Sequence, residues 1–142
     1  IDQELVVRST QVHALMPMMQ FSVAPWRILD KRHFIAVLDA VNLRNKFKET
    51  ILTLAKKASI NGEPIVRSME YVYPHKGYVY ITDQFMLGNS ILVAPYLSKG
   101  EGSRKVILPK GKWKSDAGKV YKGGKSITIN VPLTRLPYFV KE

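Results

Sequence analysis

Two carboxylates stand where hydrolytic chemistry could use them. Glu70 follows the short apolar segment Pro64–Met69, and Asp83 lies 13 residues further on. Acetal hydrolysis needs such a pair, one group to protonate the leaving oxygen and one to attack or to activate water. The competing reading gives each a local role, Glu70 as a loop carboxylate and Asp83 as the cap of a short helical turn. Trp26, Trp113, Tyr71, Tyr73, Tyr78 and Tyr80 offer flat faces for stacking on a ligand, or for packing in a core. His13, His33 and His75 are far apart in different segments, which suits structural histidines better than a metal site or a base. There is no cysteine, so disulfides, thiolate catalysis and Cys-ligated zinc are excluded. No phosphate-cradling Gly-rich loop, His-Glu-x-x-His run or serine nucleophile elbow occurs, and no cofactor or metal is expected.

The elements that must position these groups come in two kinds. With 46% hydrophobic residues the chain can bury a core, and no apolar run is long enough to span a membrane. Residues 2–15 read as a helix with Leu5, Val12 and Leu15 near helical spacing, broken at Pro17. Met16 to Val23 reads as a short buried strand, followed by the loop Ala24-Pro25-Trp26. A second helix is expected over about 33–58, its apolar face built from Phe34, Val37, Leu38, Val41, Phe47, Ile51 and Leu54, and ended by Asn61-Gly62. Pro64–Met69 reads as a second strand, Tyr71–Gly77 as a loop and Tyr78–Ile81 as a possible small strand. Helix–strand–helix–strand is the grammar of a parallel sheet or barrel.

From Asp83 the grammar changes. Asp83–Leu87 suits a helical turn, Gly88-Asn89 a stop, and Ile91–Ala94 a buried strand ended by Pro95. Ser103–Leu108, the segment entering Trp113, Lys125–Val131 and Pro137–Val140 read as short strands separated by turns at Ala117-Gly118 and Gly123-Gly124. In Lys125–Val131, Ile127, Ile129 and Val131 alternate with Ser126, Thr128 and Asn130, the pattern of a half-buried antiparallel strand. The net charge is +11, from 22 Lys and Arg against 11 Asp and Glu. Its local density at Lys99–Lys125 falls among glycines and turns, and reads as solvated hairpin surface rather than a nucleic-acid patch. The chain begins with Ile1 and not Met, so a fragment or a processed product is expected.

Gln84-Phe-Met-Leu-Gly88 followed by Ile91-Leu-Val-Ala-Pro95 resembles the family 31 glycoside hydrolases, the α-glucosidase and α-xylosidase group. The likeness extends in order through Leu15-Met-Pro-Met-Met19, Leu43-Arg-Asn-Lys-Phe47, Ile51-Leu-Thr-Leu-Ala55, Gly62-Glu-Pro-Ile-Val-Arg67, Val106-Ile-Leu-Pro-Lys-Gly-Lys-Trp113, Tyr121-Lys-Gly-Gly124 and Pro132-Leu-Thr-Arg-Leu-Pro137. It implies a mixed α+β fold: the last two β/α units of a (β/α)8 barrel over residues 1–87, then an antiparallel β-sandwich domain over 88–142. It implies a retaining α-glycosidase as the parent protein, with an α-linked oligosaccharide as substrate. The family's nucleophile and acid/base lie on earlier barrel strands, so no residue here is assigned a catalytic role and the isolated chain is expected to be inactive. The family commonly places an Arg and a His just after the seventh strand, and the corresponding positions here hold Gln20 and Ser22. Gln20, Phe21 and Ser22 are therefore the expected substrate contacts, the alternative being a loop that only packs.

Two further readings compete. In one, the β-domain is a non-catalytic carbohydrate-binding or structural module, holding glycans through Trp113 and Tyr121. In the other, ranked last, charge alone makes the chain a nucleic-acid binder. Two barrel units cannot close a sheet, so the chain is also expected to self-associate or to stay bound to the remainder of its parent.

Overall fold

The computed structural model describes residues 1–142. Two helices open the chain, α1 (Gln3–Ala14) and α2 (Lys31–Asn61), joined by an irregular segment with one 3-10 turn at Pro25–Arg27. Each starts where an aspartate satisfies a free backbone donor. Asp2 accepts from the Leu5 N–H at 3.2 Å, and Asp30 accepts from the His33 N–H at 3.0 Å. At the far end of α2, Gly62 takes φ +73°, and its N–H reaches the Ala58 carbonyl.

The rest is antiparallel β-structure. Strands β1 (Val66–Arg67), β2 (Phe85–Leu87), β3 (Ile91–Val93), β5 (Lys112–Ser115), β6 (Val120–Lys122) and β8 (Tyr138–Lys141) form one sheet in the order β1-β2-β3-β8-β5-β6. Strands β4 (Gly102–Leu108) and β7 (Lys125–Val131) pair as a separate two-stranded ribbon. A single helical turn, α3 (Met69–Val72), sits between β1 and β2.

Period-two alternation sorts the side chains of the large sheet onto two faces. One face carries Leu87, Ile91, Val93 and Tyr138 against Ala40, Phe47 and Ile51 of α2. Phe47 meets Tyr138 edge-on at 5.1 Å between ring centroids. The other face carries Met86, Leu92, Trp113 and Phe139 against Val106, Leu108, Ile129 and Val131 of the ribbon. The result is three layers: helix, sheet and ribbon. The alternation expected in Lys125–Val131 is present, with Ile129 and Val131 buried beneath the ribbon.

Helix α1 is tied to this body by a buried guanidinium. Arg8 is 6% exposed and donates to the Gln11 side chain at 3.1 Å and to the Gly100 carbonyl at 3.2 Å. It also lies 4.8 Å over the Tyr96 ring. Charge-assisted bonds to fixed carbonyls make the contact specific as well as adhesive.

Several expectations are corrected. Met16–Val23 is not a strand: no other strand pairs with it, and Met18 and Val23 are 79% and 52% exposed. An apolar run becomes a strand only when a neighbour supplies its hydrogen bonds. Pro64–Met69 contributes only the two-residue β1, which pairs antiparallel with β2. Asp83–Leu87 is not helical, because β2 lies there and turns through Gly88 into β3. Tyr71–Gly77 begins as helix α3 rather than loop, and Tyr78–Ile81 is not a strand. All six strand pairings are antiparallel, so the helix–strand grammar of the first half does not produce a parallel sheet. β2 and β3 pair as a hairpin of the large sheet.

Candidate functional site

The segment leaving α1 is positioned by one side chain of α2. Arg44 donates to the carbonyls of Ala14 at 3.1 Å, Met16 at 2.6 Å and Pro17 at 2.8 Å. The last carbonyls of a helix lack intrahelical donors, and a guanidinium with five N–H groups suits several at once. Arg44 therefore sets the direction in which the chain emerges toward Gln20, Phe21 and Ser22.

All three of those residues are exposed, and all three line an open groove of about 540 Å³ against α1. Leu5, Val6 and Ile28 supply apolar wall, while Ser9, Thr10 and His13 add polar groups. The Thr10 hydroxyl is turned back to the Val6 carbonyl at 2.8 Å, and His13 Nδ1 lies 2.7 Å from the Ser9 carbonyl. No carboxylate lines this groove. It can present an amide, a hydroxyl and an aromatic edge to a polar ligand, but it cannot supply the acid and nucleophile of acetal hydrolysis.

The candidate carboxylates lie elsewhere. One oxygen of Glu70, on α3, accepts from the His75 N–H at 2.7 Å, and supports a turn in which His75 takes φ +59°. Asp83 accepts from Arg104 at 2.9 Å, and Arg104 also donates to the Asp83 carbonyl. It therefore anchors the ribbon rather than capping a helix. Asp2 and Glu4 do share a cleft, but each has its own partners. Asp2 pairs with Lys99 at 2.9 Å, and Glu4 accepts from the Gly100 N–H at 2.7 Å.

The aromatic candidates divide by burial. Trp113 is fully buried, and its indole N–H donates to the Pro109 carbonyl at 2.7 Å, so it has no face for a ligand. Tyr121 is half-buried, edge-on to Phe139, with Lys119 5.0 Å over its ring. Of the two residues on which a glycan-holding β-domain was expected to rest, Trp113 is inaccessible and Tyr121 is partly exposed. Tyr73 and Tyr78 pack against the core, whereas Trp26 and Tyr80 are 69% and 90% exposed. Tyr71 is exposed and donates to Glu63 at 2.8 Å, which raises its phenol pKa. The three histidines stand apart, and no group of His, Cys, Asp or Glu could hold a metal ion. Arg44 had no assigned role in the sequence reading. The available signal was an arginine bordering the apolar stripe of α2, opposite an expected helix end.

The family signature described as glycosyl hydrolase family 31 C-terminal domain matches residues 62–142, the span holding every strand. The chain belongs to glycosyl hydrolase family 31. Among its family 31 relatives, the myogenesis-regulating glycosidase of Mus musculus is 35% identical over 97% of this chain and 20% of its own length. Alpha-glucosidase 2 of Bacillus thermoamyloliquefaciens is 30% identical over 98% of this chain and 19% of its own. The solved structure of a variant GH31 dextranase of Flavobacterium johnsoniae, complexed with isomaltotriose, superposes with a TM-score of 0.87 at 31% identity. That match covers 98% of this chain and 18% of the dextranase. The chain thus spans about a fifth of the length of these curated relatives. No helix is long and apolar enough to cross a membrane.

Proposed function

We propose that this chain forms part of a retaining α-glycosidase that hydrolyses α-linked glucosides or related sugars, and that Gln20, Phe21 and Ser22 touch the substrate. The observation that carries the reading is the placement of these three residues. They are exposed, lie on one groove, and leave a helix end held by Arg44. An amide, a hydroxyl and an aromatic edge suit the hydroxyls and apolar faces of a pyranose. The family's α-glucosidase and the isomaltotriose-bound dextranase support an α-linked oligosaccharide as the ligand. The carboxylates that perform the chemistry then come from other segments of the parent, because none borders this groove.

On this reading α1 and α2 are the helical parts of the last two barrel units, and the strands form the adjoining β-domain. The partner that completes the groove is the remainder of the parent chain, with self-association as the substitute when it is missing. A module that holds glycans by stacking on Trp113 is disfavoured by the burial of that ring.

The test is kinetic. In the parent enzyme, Gln20→Ala and Ser22→Ala each raise KM for an aryl α-glucoside about tenfold, the loss of roughly one hydrogen bond, with thermal stability unchanged. The 142-residue chain alone gives no turnover. An unchanged KM in both variants removes the loop from the substrate site, and clear turnover by the isolated chain overturns the assignment of catalysis to other segments.

A further inference from the structure

A basic groove lies at the β5–β6 end of the molecule, on residues that the α-glycosidase reading does not use. It has a volume of about 860 Å³ and is bordered by Lys110, Lys112, Lys122 and Glu142. The strand register sets Lys112 directly opposite Lys122. Two like charges facing each other across an antiparallel pair are unfavourable. None of the seven ion pairs in the chain involves Lys110, Lys112 or Lys122. Asp116, after β5, is taken by Arg135, and Glu142 is the one carboxylate bordering the groove.

Protection of an open sheet edge accounts for a lysine on β6, the edge strand. It does not account for Lys112, because β5 is flanked by β6 and β8. The turns beneath are also fixed. The Gly123 N–H donates to the Gly111 carbonyl at 2.7 Å, and the Gly124 N–H donates to the Leu108 carbonyl at 2.8 Å. A Cβ at Gly123 would stand 1.8 Å from the Pro109 oxygen. The lysines are thus mounted on a rigid, glycine-walled frame that lets a ligand approach the backbone closely.

We propose that this groove binds the sulfate or phosphate esters of an anionic glycan. Several ammonium groups without carboxylate partners suit a multivalent oxyanion. A nucleic acid is the poorer fit, because no aromatic residue borders the groove for base stacking: Trp113 is buried and Lys119 lies over Tyr121. A lipid surface is also a poorer fit, because Val120 is the only apolar side chain bordering the groove. The choice of a glycan as carrier rests on the α-glycosidase reading, whereas the anion site does not.

The experiment is a titration of the 142-residue chain with dextran sulfate, with uncharged dextran and a single-stranded oligonucleotide alongside. The wild type binds dextran sulfate at low salt and weakens as salt rises. Lys112→Gln with Lys122→Gln weakens binding at least tenfold. Lys56→Gln with Lys57→Gln, the same charge removed from exposed positions on α2, leaves it unchanged. Lys112→Arg with Lys122→Arg keeps the charge and retains binding, and so separates loss of the site from loss of the fold. Equal weakening by both Gln pairs, or no binding at all, overturns the proposal. Stronger binding of the oligonucleotide than of dextran sulfate overturns it in favour of a nucleic acid. A failure here leaves the KM test of Gln20 and Ser22 untouched.

Discussion

Asp30 shows how much one residue decides locally. Its carboxylate accepts from the His33 backbone N–H and lies 2.8 Å from His33 Nδ1. Those two hydrogen bonds, the backbone one first, hold its pKa below its ordinary value near 3.8. A carboxylate depressed in the folded state stabilises the fold above its unfolded pKa, and that contribution is lost as pH falls through the folded value. The same sign holds for Asp2, which is lowered by its bond to Lys99 and then by the Leu5 N–H. The N-termini of α1 and α2 are therefore expected to loosen below about pH 3.8. Asp30→Ala lowers Tm by a few degrees at neutral pH and flattens the acid branch of the Tm–pH curve. Melting followed by circular dichroism from pH 2.5 to 7 reads both effects. An acid branch as steep in the variant as in the wild type contradicts the assignment.

At the scale of elements, the close approach of two turns is the sharpest constraint. Gly123 is required because the Pro109 carbonyl occupies the space of its Cβ, and that carbonyl also accepts the Trp113 indole N–H. Gly118 has open space around it and is constrained only by φ +79°. Gly123→Ala is expected to cost about 3 kcal/mol through overpacking of a fixed backbone. Gly118→Ala is expected to cost about 1 kcal/mol, the penalty of a side chain in the left-handed region. Urea denaturation of the two variants measures the difference, and equal costs would show that the two turns can separate. Both glycines were legible as turn signals in the sequence. That one of them is needed for contact and the other for conformation was not, because the Pro109 carbonyl meets Gly123 only after β4–β7 pairing and sheet packing bring the two turns together.

For the whole molecule, the decisive feature is the apolar surface that remains uncovered. Leu5, Met18, Val23 and Trp26 are between 52% and 79% exposed, and Ile35 and Leu38 on α2 are more than 40% exposed. These residues lie on the helical side, whereas the β-sheet is covered by α2 on one face and by the ribbon on the other. Exposed apolar area of this kind marks a contact surface. The isolated chain is expected to self-associate through it. Light scattering over a range of concentrations should give a mass rising above 16.1 kDa, and Leu5→Lys with Trp26→Lys should restore the monomer. A concentration-independent monomer of the wild type would show that the surface is tolerated in water.

The sequence by itself determined the parts whose physics is local. Helical spacing and caps placed α1 and α2 within a few residues. Alternation placed β7, the Gly-Asn pair after Leu87 marked a real turn, and motif order identified the family. Tertiary structure decided what depends on a partner. Met16–Val23 is apolar enough for a strand, yet it stays irregular because Arg44 takes its leading carbonyls and no strand pairs with it. Phe85–Leu87 could turn as a helix, yet it is extended because β1 and β3 both bond to it. Trp113 could face a ligand, yet the ribbon buries it. In each case the segment's own preferences left two states open. The choice came from hydrogen bonds and burial supplied by residues distant in the chain, which spacing and periodicity do not encode.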